Sequence, residues 1–155
     1  MNTLSEGDQA PDFKLSTDTL GEISLSSFSG KPVVLYFYPK DDTSGCTKEA
    51  VGFSELMPRF SDLGVPVVGI SPDSVASHNK FRSKHDLAVA LASDEDKTVC
   101  QSYGVWVEKS MYGRKFMGVE RATFLINSDG TIAKIWRKVK VAGHAEAVLE
   151  AAKNL

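Results

Sequence analysis

The chain has 155 residues, 42% hydrophobic and 25% charged, enough to bury a core without metal or disulfide staples, and one domain over 1–155 is expected. Its 18 basic and 20 acidic side chains leave a formal charge of −2, so no polyanionic partner is expected, neither nucleic acid nor a membrane surface. The polar, acidic start from Met1 to Asp8 lacks the basic head and apolar centre of a secretory signal, and no later stretch reads as a membrane span, so a cytoplasmic setting is expected. In that reducing compartment Cys46 and Cys100 read as one reactive and one packed thiol.

Residues 1–32 are punctuated by Gly7, Pro11, Gly21, Gly30 and Pro32. Between them, Phe13–Ser16 and Ile23–Ser26 alternate apolar and polar side chains, which predicts a hairpin turning through Asp18 to Gly21. Val33–Tyr38 is apolar on both faces, as a central strand of a covered sheet must be. Pro39 ends it, because proline brings no N–H to a ladder.

A helix is predicted from Thr43 or Ser44, capped by either hydroxyl, with Ala50, Phe53, Met57, Phe60 and Leu63 at helical spacing and a kink or division at Pro58. Gly64 closes it. Val65–Ile70 reads as a second buried strand, and Asp73 or Ser74 caps a helix running to about His85. Leu87–Leu91 is a short strand or connector. Ser93–Asp96 resembles a capping box for a short helix holding Val99, Cys100 and Tyr103.

Farther on, Val119–Ile126, the turn Asn127–Gly130 and Thr131–Trp136 predict strand, turn and strand, with Arg121, Thr123 and Leu125 sharing one face. A last helix from about Gly143 carries the stripe Ala145, Val148, Leu149 and Ala152. His78, His85 and His144 sit in polar helical contexts without ligand spacing and read as solvent-facing. Trp106, Tyr112, Phe116 and Trp136 read as core or interface aromatics. This order of elements predicts an α/β domain, a central mixed sheet with helices on both faces, which a thioredoxin-like fold satisfies.

The chemistry centres on Pro39-Lys-Asp-Asp-Thr43-Ser-Gly45-Cys46-Thr-Lys-Glu49. A cysteine in the first turn of a helix meets free N–H groups and the positive end of the macrodipole, which favour an anionic sulfur. Arg121 is the arginine best placed to add positive charge. Thr43, three residues before Cys46, can aim a hydroxyl at the same pocket, and Pro39 can wall it from water. Such a set suits attack of a thiolate on one oxygen of a peroxide, with donors holding both oxygens.

The run Pro39-x-x-x-Thr43-x-x-Cys46 resembles the peroxiredoxin signature, and Gly45-Cys46-Thr47-x-Glu49 resembles its peroxiredoxin Q, or bacterioferritin comigratory protein, branch. Supporting matches are Gly7-x-x-Ala-Pro-Asp-Phe13, Tyr36-Phe-Tyr-Pro39, Gly69-Ile-Ser71, Ser93–Asp96, Tyr103-Gly-Val-Trp106 and Arg121-x-Thr-Phe-Leu-Ile126. The resemblance implies an AhpC/TSA-type domain: a thioredoxin fold with an added N-terminal β-hairpin, needing neither metal nor organic cofactor. It implies that Cys46 is the peroxidatic cysteine, oxidised to sulfenic acid by hydrogen peroxide or an organic hydroperoxide. By the same resemblance Thr43 holds thiolate and peroxide, Arg121 stabilises the charge, Pro39 shields it, and Glu49 orients Arg121. A monomer or homodimer is implied.

Two departures stand out. Ser44 replaces the proline many relatives carry before Gly-Cys, and Val51 stands where many carry a resolving cysteine. A one-cysteine cycle follows, with an external thiol such as glutathione, glutaredoxin or thioredoxin as reductant. The alternatives are resolution through Cys100, within or between subunits, and a redox sensor or holdase without turnover. General disulfide exchange is weakened by the lack of Cys-x-x-Cys.

Overall fold

The computed structural model describes residues 4–155, so the first three residues of the N-terminal stretch lie outside the description. A seven-stranded mixed sheet organises the fold, in the order β2-β1-β5-β4-β3-β8-β9. Its parallel heart is β3 (Val33–Phe37), β4 (Val67–Ser71) and β5 (Ala90–Ser93), with β8 (Ala122–Ile126) antiparallel to β3 and β9 (Ile132–Trp136) antiparallel to β8. The N-terminal hairpin of β1 (Lys14–Thr17) and β2 (Glu22–Ser24) extends the sheet beyond β5. Leu25, expected in the second hairpin strand, instead begins a short 3-10 turn over Leu25–Phe28.

Helices cover both faces, and alternation along β3 divides the core between them. Val34, Tyr36 and Tyr38 face α1 (Ser44–Asp62), α2 (Val75–His85) and α4 (His144–Lys153), where Phe53, Phe60, Phe81, Val148 and Leu149 are buried. Val33, Leu35 and Phe37 face the opposite way, toward α3 (Thr98–Ser102), Phe13, Leu15 and Ile23. Cys46 belongs to the first core and Cys100 to the second.

Pro58 does not divide α1, which continues through it to Asp62. The Ser93–Asp96 segment does not form the expected capping box: Asp94 caps α3 by accepting the Val99 and Cys100 N–H groups, and the Ser93 hydroxyl turns back to the Asp73 carbonyl. A separate two-stranded hairpin, β6 (Trp106–Met111) and β7 (Arg114–Val119), leaves Tyr112 97% exposed and Phe116 44% exposed at its outer end, so these two are not core aromatics. Two histidines read as solvent-facing are buried, His78 at 0% and His144 at 6% exposure.

Candidate active site

Cys46 is the third residue of α1 and is 1% exposed. Its Sγ accepts a hydrogen bond from Arg121 Nη2 at 3.3 Å, while Arg121 Nη1 donates to Glu49 Oε1 at 2.7 Å. Glu49 lies one turn along the helix from the sulfur, so one guanidinium spans both α1 groups. Arg121 stands just before β8, on the side expected from strand alternation. Its backbone is fixed on both flanks, with Glu120 N–H bonded to Val105 O and Val139 N–H to Arg121 O. Gly45 makes room for it: a Cβ there would lie 3.0 Å from Arg121 Nη2.

The surroundings set the charges. Burial pushes the Glu49 carboxyl up to about 7, against the opposing pull of Arg121. Its Oε2 is buried without a hydrogen-bond partner among the described residues. For Arg121, burial alone would lower the pKa, but Glu49 and the Cys46 sulfur hold it above the ordinary value, and it stays cationic. Behind them Tyr36 stacks on Phe53, its hydroxyl buried and without a partner among the described residues. Burial, with the nearby Glu49 and Cys46, raises its pKa well above the ordinary phenol, so it remains a neutral donor. That ring fits only because Gly69 faces it, where a Cβ would come within 2.7 Å of the phenol.

Thr43 and Pro39 are near in sequence but not joined to this cluster by hydrogen bonds. Thr43 is exposed, and its hydroxyl donates to Lys40 O at 3.0 Å rather than capping α1, as had been expected. The cap it provides is made by its carbonyl, which accepts from Thr47 N–H. Pro39 is half-buried at the end of β3. Beside the site a groove of about 450 Å³ runs between Gly45, Lys48 and Glu49 of α1 and Gly143, Ala145 and Glu146 at the start of α4.

Cys100 lies across the sheet, with Asp94 accepting its own N–H at 2.8 Å. Burial first, and then Asp94, pushes its thiol far above the ordinary range. Sequence reasoning missed the buried His78–Asp41 pair, at 2.7 Å, and His144, whose Nε2 meets the Thr123 hydroxyl at 2.8 Å. The one hint lay in Asp41 itself, inside the motif but given no role. Among the described residues no cluster of three or more His, Cys, Asp or Glu side chains could hold a metal, and no helix is long and apolar enough to cross a membrane.

The AhpC/TSA family model matches residues 6–135. A putative peroxiredoxin Bcp of Coxiella burnetii is 50% identical over 147 residues, spanning 95% of this chain and 97% of that one. Peroxiredoxin Bcp of Bacillus subtilis is 42% identical, spanning 99% and 98%. Among solved structures, Xanthomonas campestris peroxiredoxin Q superposes with a TM-score of 0.87 at 45% identity, over 92% of this chain and 90% of that one. A cysteine-to-serine variant of Xylella fastidiosa PrxQ superposes with a TM-score of 0.93 at 38% identity, over 99% and 98%. The chain belongs to the AhpC/TSA family, within its Bcp or peroxiredoxin Q group, and its fold is the thioredoxin fold of those proteins. It is a peroxiredoxin, a thiol-dependent peroxidase.

Proposed function

We propose that Cys46 is the peroxidatic cysteine of a one-cysteine cycle that reduces hydrogen peroxide and organic hydroperoxides. The observation that carries this reading is the Arg121 guanidinium, which faces the Cys46 sulfur at 3.3 Å while Glu49 anchors its other nitrogen. The thiolate attacks one peroxide oxygen and the O–O bond breaks. The other oxygen leaves as hydroxide or alkoxide and takes a proton to become water or alcohol. Charge passes from sulfur to oxygen along this path, and a fixed cation beside it stabilises both ends. Pro39 is the proposed shield, and Thr43 is the proposed donor to thiolate and peroxide once its hydroxyl turns away from the Lys40 carbonyl that it meets at 3.0 Å. A structure of Xanthomonas campestris bacterioferritin comigratory protein concerns alkyl peroxide reduction, which supports organic hydroperoxides as substrates here.

Reduction then needs a thiol. Cys46 and Cys100 lie in cores on opposite faces of the sheet, so a bridge within one chain would require one thiol to cross it. We therefore assign resolution to an external thiol of the cytoplasm: it attacks the sulfenic sulfur, water leaves, and a second thiol frees Cys46 as the mixed disulfide is exchanged. The proposed unit is one AhpC/TSA domain over 1–155, acting as a monomer or homodimer.

Two measurements test the reading. Peroxide consumption with a thiol donor must be lost in Cys46→Ser; equal turnover by the two proteins rejects the assignment. Peptide mapping of peroxide-treated protein without reductant should yield no abundant Cys46–Cys100 pair. That pair at low peroxide, together with lost turnover in Cys100→Ser, would replace the one-cysteine cycle by a two-cysteine one.

A further inference from the structure

The loop that leads into Cys46 is bolted to α2 by a buried polar network that the reaction chemistry leaves unexplained. Asp41, 7% exposed, accepts from the Tyr38 hydroxyl at 2.6 Å through Oδ1, and through Oδ2 from the Ser77 hydroxyl at 2.8 Å. The same Oδ2 lies 2.7 Å from His78 Nδ1. Asp41 N–H in turn donates to Asp73 Oδ2 at 2.8 Å, and Asp73 Oδ2 also accepts from Ser71 at the end of β4. The next residue, Asp42, adopts φ 59° and reaches Lys84 and His85 at the end of α2. Two consecutive aspartates thus tie residues 40–43 to one helix.

His78 is the centre of this arrangement because of what its two nitrogens face. Nε2 lies 3.0 Å from the Ala92 carbonyl, which can only accept. Nδ1 faces a carboxylate that already takes two hydroxyl donors, so Nδ1 donates there as well. A ring that donates from both nitrogens is an imidazolium, here at 0% exposure. The titratable groups around it agree in sign: Asp41 from the loop and Asp73 from the β4–α2 connection are acids, and Tyr38 from the end of β3 is held neutral by burial. Burial alone would lower the His78 pKa, and Asp41, with Ala92 and Asp73, more than reverses that.

We propose that His78 is a positioning residue for peroxide reduction: as a two-donor ring buried between Asp41 and β5, it latches the Pro39–Thr43 loop in the form that sets the first turn of α1 against Arg121. This deepens the reading of Cys46 given above and rests on it. The latched form serves oxidation, which needs Cys46 and Arg121 together. It hinders reduction, because Cys46 is 1% exposed and a reducing thiol needs more room at the sulfur than a peroxide does. Release of the latch shifts the loop toward forms in which the sulfenic sulfur is reachable. The pH sense is fixed by the raised folded pKa: the latch is complete below the ordinary histidine range and is lost as pH rises through the folded value.

The test has two arms. In the reduced wild-type protein at pH 7, a long-range 1H–15N spectrum of the imidazoles should show both His78 nitrogens protonated, with His85→Gln and His144→Gln assigning the signal by elimination. One unprotonated His78 nitrogen overturns the proposal, whether or not a His78 variant folds. In His78→Gln, the rate at which hydrogen peroxide oxidises Cys46 should fall about tenfold or more, while reduction of preformed sulfenic acid by a small monothiol should be unchanged or faster. Unchanged oxidation, or an equal fall in both half-reactions, also overturns it. Should wild type oxidise no faster than Cys46→Ser, the assignment of Cys46 fails, and the imidazole spectrum still decides the state of His78.

Discussion

Cys46 and Cys100 occupy the same place in two helices, each the third residue and each almost fully buried at 1% and 0% exposure. Helix position and burial therefore cannot tell a reactive thiol from an inert one in this chain. In the proposed reading, the sign of the neighbouring charge does. Cys46 faces a guanidinium that donates to its sulfur, whereas at Cys100 the Asp94 carboxylate occupies the Val99 and Cys100 N–H groups in the first turn of α3, and Asp96 the Thr98 N–H. The free amides that make a helix start hospitable to an anion are thus already used at Cys100, by other anions. Burial and that carboxylate together keep Cys100 a neutral thiol.

The sharpest way to break this comparison is to delete each sulfur in turn. Cys46→Ser should lower kcat/KM for peroxide by about 10³-fold or more, as loss of a nucleophile does, and Cys100→Ser should stay within about twofold of wild type. Steady-state peroxide consumption with excess thiol decides it, and similar losses in both variants would end the distinction. Next comes the charge itself. Arg121→Met keeps the side chain's bulk but removes the donor to Sγ, and kcat/KM should fall by about 10²- to 10³-fold, the usual loss on removing a group that stabilises transition-state charge. An Arg121→Met enzyme within threefold of wild type would show that the guanidinium is not what separates the two thiols.

Much of this contrast is legible in the sequence, for a physical reason. Val33–Tyr38 is apolar on both sides because both faces of β3 are covered, and Asn127–Gly130 closes its hairpin with the turn its residues favour. Cys46 and Glu49 share a helix face at a spacing of three, and the parity of Arg121 relative to Thr123 and Leu125 turns it toward α1. What the sequence conceals are choices between competing partners. Thr43 has a nearby carbonyl at Lys40, and a short-range acceptor wins over the helix amides or the sulfur. His78 and His144 look solvent-facing because helical spacing counts histidine as polar. Their partners Asp41 and Thr123 lie 37 and 21 residues away, beyond the reach of any local pattern. Tyr112, read as a core or interface aromatic, departs the other way: it occupies the exposed tip of a two-stranded hairpin, which excludes the core half of that reading.

A smaller effect probes the other side of the sheet. Asp94→Ala frees the Val99 and Cys100 amides and removes the charge beside the Cys100 thiol, so it should cost about 1–2 kcal/mol in stability, the usual loss for a helix-capping side chain. Urea unfolding measures it. In the folded variant Cys100 should also react faster with a small alkylating reagent under native conditions. An unchanged rate would mean that burial alone silences this thiol.

The smallest predicted effect is a pH dependence that two groups on the Cys46 face hide from each other. Glu49 is pushed by burial from 4.5 up to about 7, so between those values the native protein holds more protons than the unfolded chain, and stability falls as pH rises. His144 is pushed by burial, with Arg121 adding repulsion, from 6.5 down to about 4, so in its window the native protein holds fewer protons and stability rises with pH. The windows overlap, and the slopes oppose. Wild-type Tm should therefore change little between about pH 5 and pH 6.5, whereas Glu49→Gln leaves His144 unopposed and should melt lower at the acid end by about 2–4 °C, the shift that 1 kcal/mol produces in a chain of this size. His144→Gln should tilt the curve the other way, melting lower at the neutral end. Parallel curves for wild type and Glu49→Gln, with His144→Gln flat beside them, would mean that Arg121 keeps Glu49 ionised across the window, and that the guanidinium dominates its carboxylate as well as its sulfur.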